Sequence, residues 1–406
     1  MRMLRVKYNK LFVTDNTKIA CIHRQIGRVI MELKGKKVMV VGTGISGIGA
    51  IDLLNKAGAD CIIYDANEKL TEEAVAKKLN GNKAQIIIGE LADDITEKVE
   101  LLVISPGVPV DSPLVKKFEE AGVPVWGEIE LAYNYDKGRI IAITGTNGKT
   151  TTTALVGQIV KAYNEQTYVV GNIGNSYTGE VLKTSENSYT VAEISSFQLE
   201  TVHRFHPVVS AILNITPDHL NRHHTMECYA HTKERIAENQ TKDDVCVLNM
   251  EDEELYRFGS ECKASVVWFS SKRKPDKGAY LDGDDIRYTD GTQDKLMLNI
   301  HDMNLLGTHN YENVCAAIAM TKAVGIPDDI IIEQVKCFKA VEHRIEYVAT
   351  KKGVWYYNDS KGTNPDAAIK GIQAMNRPTL LIGGGYDKGS EYTEWIESFD
   401  GKVKKL

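Results

Sequence analysis

One stretch narrows the choice of fold more than any other. The apolar run Arg139 to Ile143 leads straight into Thr144-Gly145-Thr146-Asn147-Gly148-Lys149-Thr150, and a helix-like segment, "TTTALVGQIVKAY", follows. A buried strand that breaks at glycines and restarts as a helix turns its backbone N–H groups toward a single point, which makes an anion site. The usual phosphate-loop spacing, G-x-x-x-x-G-K-[ST], would place the first glycine at position 143, where this chain has Ile143. The loop is therefore read as a shortened one. Gly145 and Gly148 let the amides face inward, Lys149 reaches the β- and γ-phosphates, and the Thr150 hydroxyl holds Mg²⁺ at the helix start.

Such a loop needs a sheet behind it, and the chain supplies strands to build one. Short β-branched runs, among them "KKVMVVG", "CIIYD", "ELLVIS", "YTVAEI", "VVSAILNI", "VCVLN", "SVVWF", "GVWYYND" and "PTLLIGG", alternate with helix-length segments, the pattern of βαβ units and parallel sheets. The class is α/β. Residues 276–304 are polar and rich in Asp-Gly turns, which predicts a short antiparallel excursion. A strand ending in a glycine-rich turn recurs near 42, 145 and 383, so three α/β domains are expected.

The first of these turns, Gly42-Thr43-Gly44-Ile45-Ser46-Gly47, is a complete G-x-G-x-x-G between a strand and a helix, with Asp65 ending the next strand. Taken alone it suggests a nicotinamide-dependent oxidoreductase. What the glycines establish is narrower: they cradle a diphosphate, and UDP carries one as well.

Composition restricts the partners. A chain of 406 residues exceeds one compact core, and 43% hydrophobic with 26% charged residues is ordinary for a globular protein. A net charge of −6 argues against a nucleic-acid partner, and no apolar run is long enough to span a bilayer. The seven cysteines form no C-x-x-C pair, which fits reduced thiols in a cytoplasm. Residues 1–30 carry seven Lys and Arg against Asp15 alone and show no apolar core. They are read as a leader outside the fold, which starts at Met31.

Further polar clusters could complete a nucleotide site. Glu193 at the end of "YTVAEI" offers a carboxylate to the metal that Thr150 holds. Asn172 in "GNIG", with Ser195, Ser196 and Gln198 in "ISSFQLE", supplies neutral donors and acceptors. His219 and His223 in "DHLNRHH" stand four apart, a spacing that on a helix can bind zinc, although no third ligand is evident. A magnesium role for one histidine is the stronger reading.

Together these residues resemble a family. "GTNGKT", "GNIG", "EISSFQLE", "LNITPDHLNRH", "YAHTKERI", "GTHNYENVCAA", "EHRIE", "NDSKGTNPDA" and "GGYDKGSEY" follow the order and spacing of the Mur ligases across residues 31–406, and "SSFQLE" points to the D-glutamate-adding branch. "GTNGKT" by itself also resembles folylpolyglutamate synthases and other Mur branches. The resemblance implies a UDP-substrate domain at 31–128, a central ATPase at 129–340 and an amino-acid domain at 341–406. It implies a cytoplasmic, monomeric enzyme that joins D-glutamate to UDP-MurNAc-L-Ala through an acyl phosphate, with ATP and two Mg²⁺. Gly145, Thr146, Asn147, Gly148, Lys149, Thr150, Thr151, Asn310, Asn313, Arg344 and Asp359 match ATP positions. Ile45, Ser46, Asp65, Gly107, Asn172, Ser195, Gln198 and His219 match the UDP-substrate site. Thr150, Glu193, His219 and Lys233 match metal positions, Lys233 as a carbamate. Lys361, Thr363 and Lys388 match residues facing the reaction centre and D-Glu. Members of the family also continue beyond the equivalent of Leu406, through a Ser-Pro-Ala-rich stretch, so weak D-Glu binding, slow turnover and low stability from about 341 onward are expected.

Overall fold

The computed structural model describes residues 30–172, 175–385 and 391–406. The leader expected at 1–30 therefore falls outside the described residues except for Ile30, and Lys388 falls outside them too.

The first unit is a five-stranded parallel sheet in the order β3-β2-β1-β4-β5, built from β1 (Lys37–Val41), β2 (Asp60–Asp65), β3 (Gln85–Ile88), β4 (Leu101–Ile104) and β5 (Val125–Gly127). Val38, Val40 and Val103 pack under the helix α1 (Ile45–Lys56) on one face, while Met39, Leu102 and Phe118 pack on the other. A sheet buried on both faces explains why β1 reads as a continuous apolar run. The strand order reverses direction between β1 and β4, so the crevice at their carboxyl ends, where Gly42 and Ser105 lie, is where such sheets receive ligands.

A short helix, α2 (Glu128–Tyr133), leads into the second unit and is buried along its whole length. Its Glu130, fully buried, accepts hydrogen bonds from the backbone N–H groups of His203, Arg204 and Phe205 and pairs with the Arg204 guanidinium at 3.2 Å. That guanidinium lies 4.8 Å from the Trp126 ring. Asn134 exchanges two hydrogen bonds of 2.9 Å with the backbone of Met31. The first two units are thus joined by a buried polar seam.

The second unit is a nine-stranded sheet in the order β14-β13-β12-β11-β10-β9-β6-β8-β7. Its strands are β6 (Arg139–Thr144), β7 (Thr167–Gly171), β8 (Tyr189–Glu193), β9 (Val209–Ile212), β10 (Val245–Asn249), β11 (Ser265–Ser270), β12 (Gly278–Asp282), β13 (Asp285–Thr289) and β14 (Asp294–Asn299). The neighbours from β7 to β12 are parallel, and β13 and β14 are antiparallel. The expected excursion is therefore the edge of this sheet, turning at Gly283 and Gly291, both at positive φ. β6 lies inside the sheet, flanked by β8 and β9, and α3 (Lys149–Tyr163) and α7 (Thr308–Ala323) pack together over the sheet.

Beyond residue 341 the structure is sparser. β15 (Glu346–Lys351) and β16 (Val354–Asn358) form an antiparallel pair, and β17 (Thr379–Leu380) and β18 (Val403–Lys405) a parallel one. Among the described residues here, Ile372 and Ala374 are the buried apolar side chains, whereas Tyr347, Val348, Val354 and Tyr356 are exposed. The strand expected over "PTLLIGG" is reduced to two residues. Four strands that the alternation did not single out, β3, β5, β15 and β18, are short or lie at sheet edges. No helix among the described residues is long and apolar enough to cross a membrane.

Candidate active site

β6 ends inside the sheet, and the chain must leave it sharply. Gly145 (φ 151°) and Gly148 (φ 83°) adopt backbone angles that side chains disfavour, and a Cβ on Gly148 would stand 2.3 Å from Asn313 Oδ1. The loop between them is pinned to the end of β9: Thr146 N donates to Asn214 O at 2.9 Å, and Asn147 N donates to Asn214 Oδ1 at 2.8 Å. Thr146 Oγ1 also lies 3.1 Å from the Tyr229 hydroxyl and accepts from Thr216 N at 3.0 Å. α3 starts with neither a side-chain cap nor an acidic residue in its first turn, so its leading N–H groups face the loop.

Three charged groups converge there. Lys149 Nζ folds back to donate to Gly145 O at 2.8 Å and Thr146 O at 2.9 Å. Burial, helped by Arg344, holds its pKa below the usual lysine value, against the pull of Glu193 and Asp218. Lys233, on α6 (Met226–Glu234), is 1% exposed, donates to the same Gly145 O at 2.8 Å and lies 4.6 Å from the Tyr229 ring. Burial first, and the neighbouring Lys149 second, push it well below the usual lysine range. At the end of β8, Glu193 is also 1% exposed; its Oε1 accepts from Asn172 Nδ2 at 2.8 Å, while its Oε2 is buried with no hydrogen-bond partner. Thr150 follows Lys149 on the partly buried first turn of α3, and Thr151 is buried beside it.

The histidine pair divides. His219 takes positive φ ahead of the four-residue helix α5 (Leu220–His223), and its ring packs 4.9 Å from that of Phe197. His223 is buried, lies 3.0 Å from Ser196 Oγ and faces Glu200 at 3.6 Å. Burial, with Lys233 and Arg222 nearby, lowers its pKa to about 4. Its ring is thus neutral and occupied within the core. Among the described residues no three His, Cys, Asp or Glu side chains are grouped closely enough to hold a metal by themselves.

At the first crevice, Gly47 is forced: a Cβ there would meet Gly42 O at 2.0 Å. Ser46 is hydrogen-bonded to the buried Glu128 of α2, whose pKa burial raises. Ile45 is 86% exposed and Gly107 is exposed at the rim. Ser105 Oγ is buried without a partner beside Gly42 and Gly47. Asp65 accepts from Thr43 N and Oγ1 and from Asn67 N; burial pushes its pKa up, but these bonds prevail and hold it below the ordinary value. Ser195 and Gln198 close a capping box at the start of α4 (Ser196–Leu199), so both already serve the fold where ligand contact was expected. Arg222 bridges the two units, donating to Val108 O at 2.8 Å and to Glu200 at 2.6 Å.

Asn310 and Asn313 sit at the start of α7, linked by a 3.3 Å hydrogen bond, with Asn313 against Gly148. Arg344 Nε is buried without a hydrogen-bond partner, and Asp359 Oδ1 accepts from Ile345 N at 3.1 Å, its pKa raised by burial. Lys361 and Thr363 lie on the turn before α8 (Pro365–Gln373), whose N-cap is Asn364. A cleft of about 790 Å³ opens between α7 and α8, lined by Gly307, His309, Glu312, Lys370 and Arg377 among others. The structure adds contacts that sequence reasoning did not single out: Asn214, Thr216, Tyr229, Ser105, Glu128, Arg222 and Asp366. Asn214, Thr216, Arg222, Tyr229 and Asp366 lie inside quoted motifs, but their partners are distant in sequence.

Known proteins resemble this chain across most of its length. A model described as "Mur ligase middle domain" matches residues 143–321, and one described as "Mur ligase MurD-like, N-terminal domain" matches residues 36–127. The UDP-N-acetylmuramoylalanine--D-glutamate ligase of Lachnospira eligens is 77% identical over 376 residues, which cover 93% of this chain and 84% of that protein. Its namesake from Lachnoclostridium phytofermentans is 54% identical over 377 residues, with 93% and 83% covered. Among solved structures, the MurF ligase of Thermotoga maritima in complex with ADP superposes with a TM-score of 0.55 at 17% identity, over 92% of this chain and 81% of that one.

Proposed function

The chain belongs to the Mur ligase family, and we propose that the loop from Gly145 to Thr150 is where it spends ATP to join D-glutamate to UDP-N-acetylmuramoyl-L-alanine. It is an ATP-dependent ligase of peptidoglycan synthesis, and no relative supports the oxidoreductase alternative raised by the G-x-G-x-x-G turn. The observation that carries the site reading is the convergence of Lys149, Lys233 and the half-unpartnered Glu193 carboxylate on one glycine loop.

Carboxylates are poor electrophiles, so the γ-phosphoryl group of ATP first passes to the alanyl carboxylate, releasing ADP, and the D-Glu amine then attacks the acyl phosphate and expels inorganic phosphate as the amide forms. Positioning and charge neutralisation dominate such a reaction. In this reading the N–H groups at the start of α3 and the Lys149 ammonium take the phosphates, with Lys149 exchanging its two carbonyl partners for phosphate oxygens. Asn310, Asn313, Arg344 and Asp359 hold the rest of the nucleotide. Ile45, Ser46, Asp65, Gly107 and Asn172 line the UDP side, and Lys361, Thr363 and Lys388 face D-Glu.

Magnesium fits the donors present. Glu193 Oε2 is a hard anionic oxygen buried without a partner, a costly arrangement unless a cation completes it. Thr150 and Glu193 would hold one ion, His219 and Lys233 a second, with phosphate oxygens completing each shell. The metal supplies Lewis-acid neutralisation of phosphoryl charge.

As an ammonium, Lys233 could not ligate a cation. Its burial and its neighbour Lys149 favour the neutral amine, which can add CO2 to give a carbamate and a proton. That replaces a repelled cation with an anionic oxygen ligand, in a place where described carboxylates and histidines alone are too few. The same reading assigns residues 31–128 to the UDP substrate, 129–340 to ATP and 341–406 to D-Glu, and makes the enzyme a cytoplasmic monomer with no nucleic-acid or membrane partner.

Lys149→Ala tests the site. It removes charge without opening a core cavity, so ATP-dependent phosphate release should fall by about a hundredfold or more while the protein stays folded. Near-normal release would show that phosphate is handled elsewhere.

A further inference from the structure

The nucleotide loop is also gripped from outside its own sheet. Asn147 Nδ2 donates to Asp366 Oδ2 at 2.5 Å, and Asn147 Oδ1 accepts from Asn364 Nδ2 at 3.3 Å. Both partners belong to the start of α8, more than two hundred residues away. The Asp366 oxygen also accepts from Thr216 Oγ1 at 3.4 Å and from Lys370 Nζ at 3.1 Å, while Asn364 Nδ2 reaches Asp218 Oδ2 at 3.5 Å. One turn of helix therefore touches the loop, the segment after β9 that pins it and the residue before His219.

We propose that Asp366 is a positioning residue: through Asn147 it latches the segment carrying Lys361 and Thr363 onto the nucleotide loop and holds that loop in its phosphate-receiving shape. The inference rests on the loop being the ATP site. Asn147 stands between two residues of left-handed backbone, Gly145 and Gly148, and a loop with such freedom must be ordered before it can cradle an anion. On the inner side Asn214 fixes the Asn147 backbone, and on the outer side Asp366 and Asn364 fix its side chain. A lone carboxylate beside a phosphate site would repel the ligand. Lys370, one turn along α8, offsets that charge at the same oxygen. Lys361 and Thr363 lie three to five residues before Asp366, on the turn that leads into α8, so docking α8 on the loop also sets where they stand.

The test is calorimetric titration of the protein with the Mg²⁺ complex of a non-hydrolysable β,γ-imido analogue of ATP, and separately with UDP-MurNAc-L-Ala. The comparison uses Asp366→Ala, Asn147→Ala, the double variant, Asp366→Asn and Lys149→Ala. Each alanine variant should bind the nucleotide about tenfold more weakly, and the double variant no more weakly than either single one, as expected for two ends of one contact. Asp366→Asn keeps an acceptor oxygen for Asn147 and should recover most of the loss. UDP-MurNAc-L-Ala affinity should not change, which separates positioning from general unfolding. Unchanged nucleotide affinity in Asp366→Ala, or losses that multiply in the double variant, would overturn the latch while a weakened Lys149→Ala leaves the ATP site standing. Normal nucleotide binding by Lys149→Ala would overturn both.

Discussion

At the scale of single residues, the site depends on lysines that burial has made unlike surface lysines. Lys233 would read in sequence as a solvated helical lysine, yet it is among the most deeply buried polar side chains described, with a carbonyl oxygen and an aromatic face as neighbours. Shortening it removes the proposed metal ligand and leaves Gly145 O with Lys149 as its remaining lysine donor. Lys233→Ala should lose about a hundredfold or more of phosphate release. Short carboxylic acids added to the assay should restore part of it, because their oxygens can stand where the carbamate oxygens stood. Full activity without rescue would make Lys233 a packing residue, and loss of thermal stability with no rescue would make it a structural one. Lys149 differs because its two carbonyl contacts are local and exchangeable, so its loss should be felt in turnover rather than in folding.

At the scale of elements, two strand–turn–helix units carry the proposed recognition; the first turn is fixed by close approach of its own backbone, the second by its left-handed glycines and by Asn313 against Gly148. A methyl group on Gly47 would collide with Gly42 O, a backbone atom just past the end of β1. Gly47→Ala should therefore destabilise the protein by about 1–3 kcal/mol and abolish tight UDP-MurNAc-L-Ala binding, with binding of Mg²⁺–nucleotide retained. Calorimetry with both ligands checks this, and parallel loss of both would mean that the two turns do not act separately. Both units were legible in sequence because a buried parallel strand ending at glycines has a local signature. "KKVMVVG" and "RIIAIT" became β1 and β6 in this way. Three-dimensional pairings leave no such mark. Asp366 meeting Asn147, Glu130 meeting Arg204, and Ser195 with Gln198 spent on a cap all depend on which elements the fold brings together. Of the four edge or short strands, β3 carries an apolar run of just three isoleucines, Ile86 to Ile88, and β5, β15 and β18 lack the longer runs that mark β1 and β6.

At the scale of the whole molecule, cohesion is uneven. The first two units share the buried seam of α2, where Glu130 accepts three backbone N–H groups and a guanidinium. Past residue 341 the described chain offers two-stranded sheets and little buried apolar surface, tied to the rest chiefly through polar contacts at the start of α8. Backbone amides of β15 to β18 should therefore exchange with deuterium well before those of β1 and β6, at free energies below that of global unfolding. Simultaneous exchange would show one cooperative body. In the proposed reaction all three parts meet, one holding UDP, one ATP and one the incoming amine. The most direct measurement of that claim is phosphate release from ATP with UDP-MurNAc-L-Ala and Mg²⁺ present, against a panel of L- and D-amino acids. Release that rises with D-glutamate and with no other member is the result expected. Release driven by a different amino acid, or indifferent to all of them while the nucleotide binds normally, would contradict it.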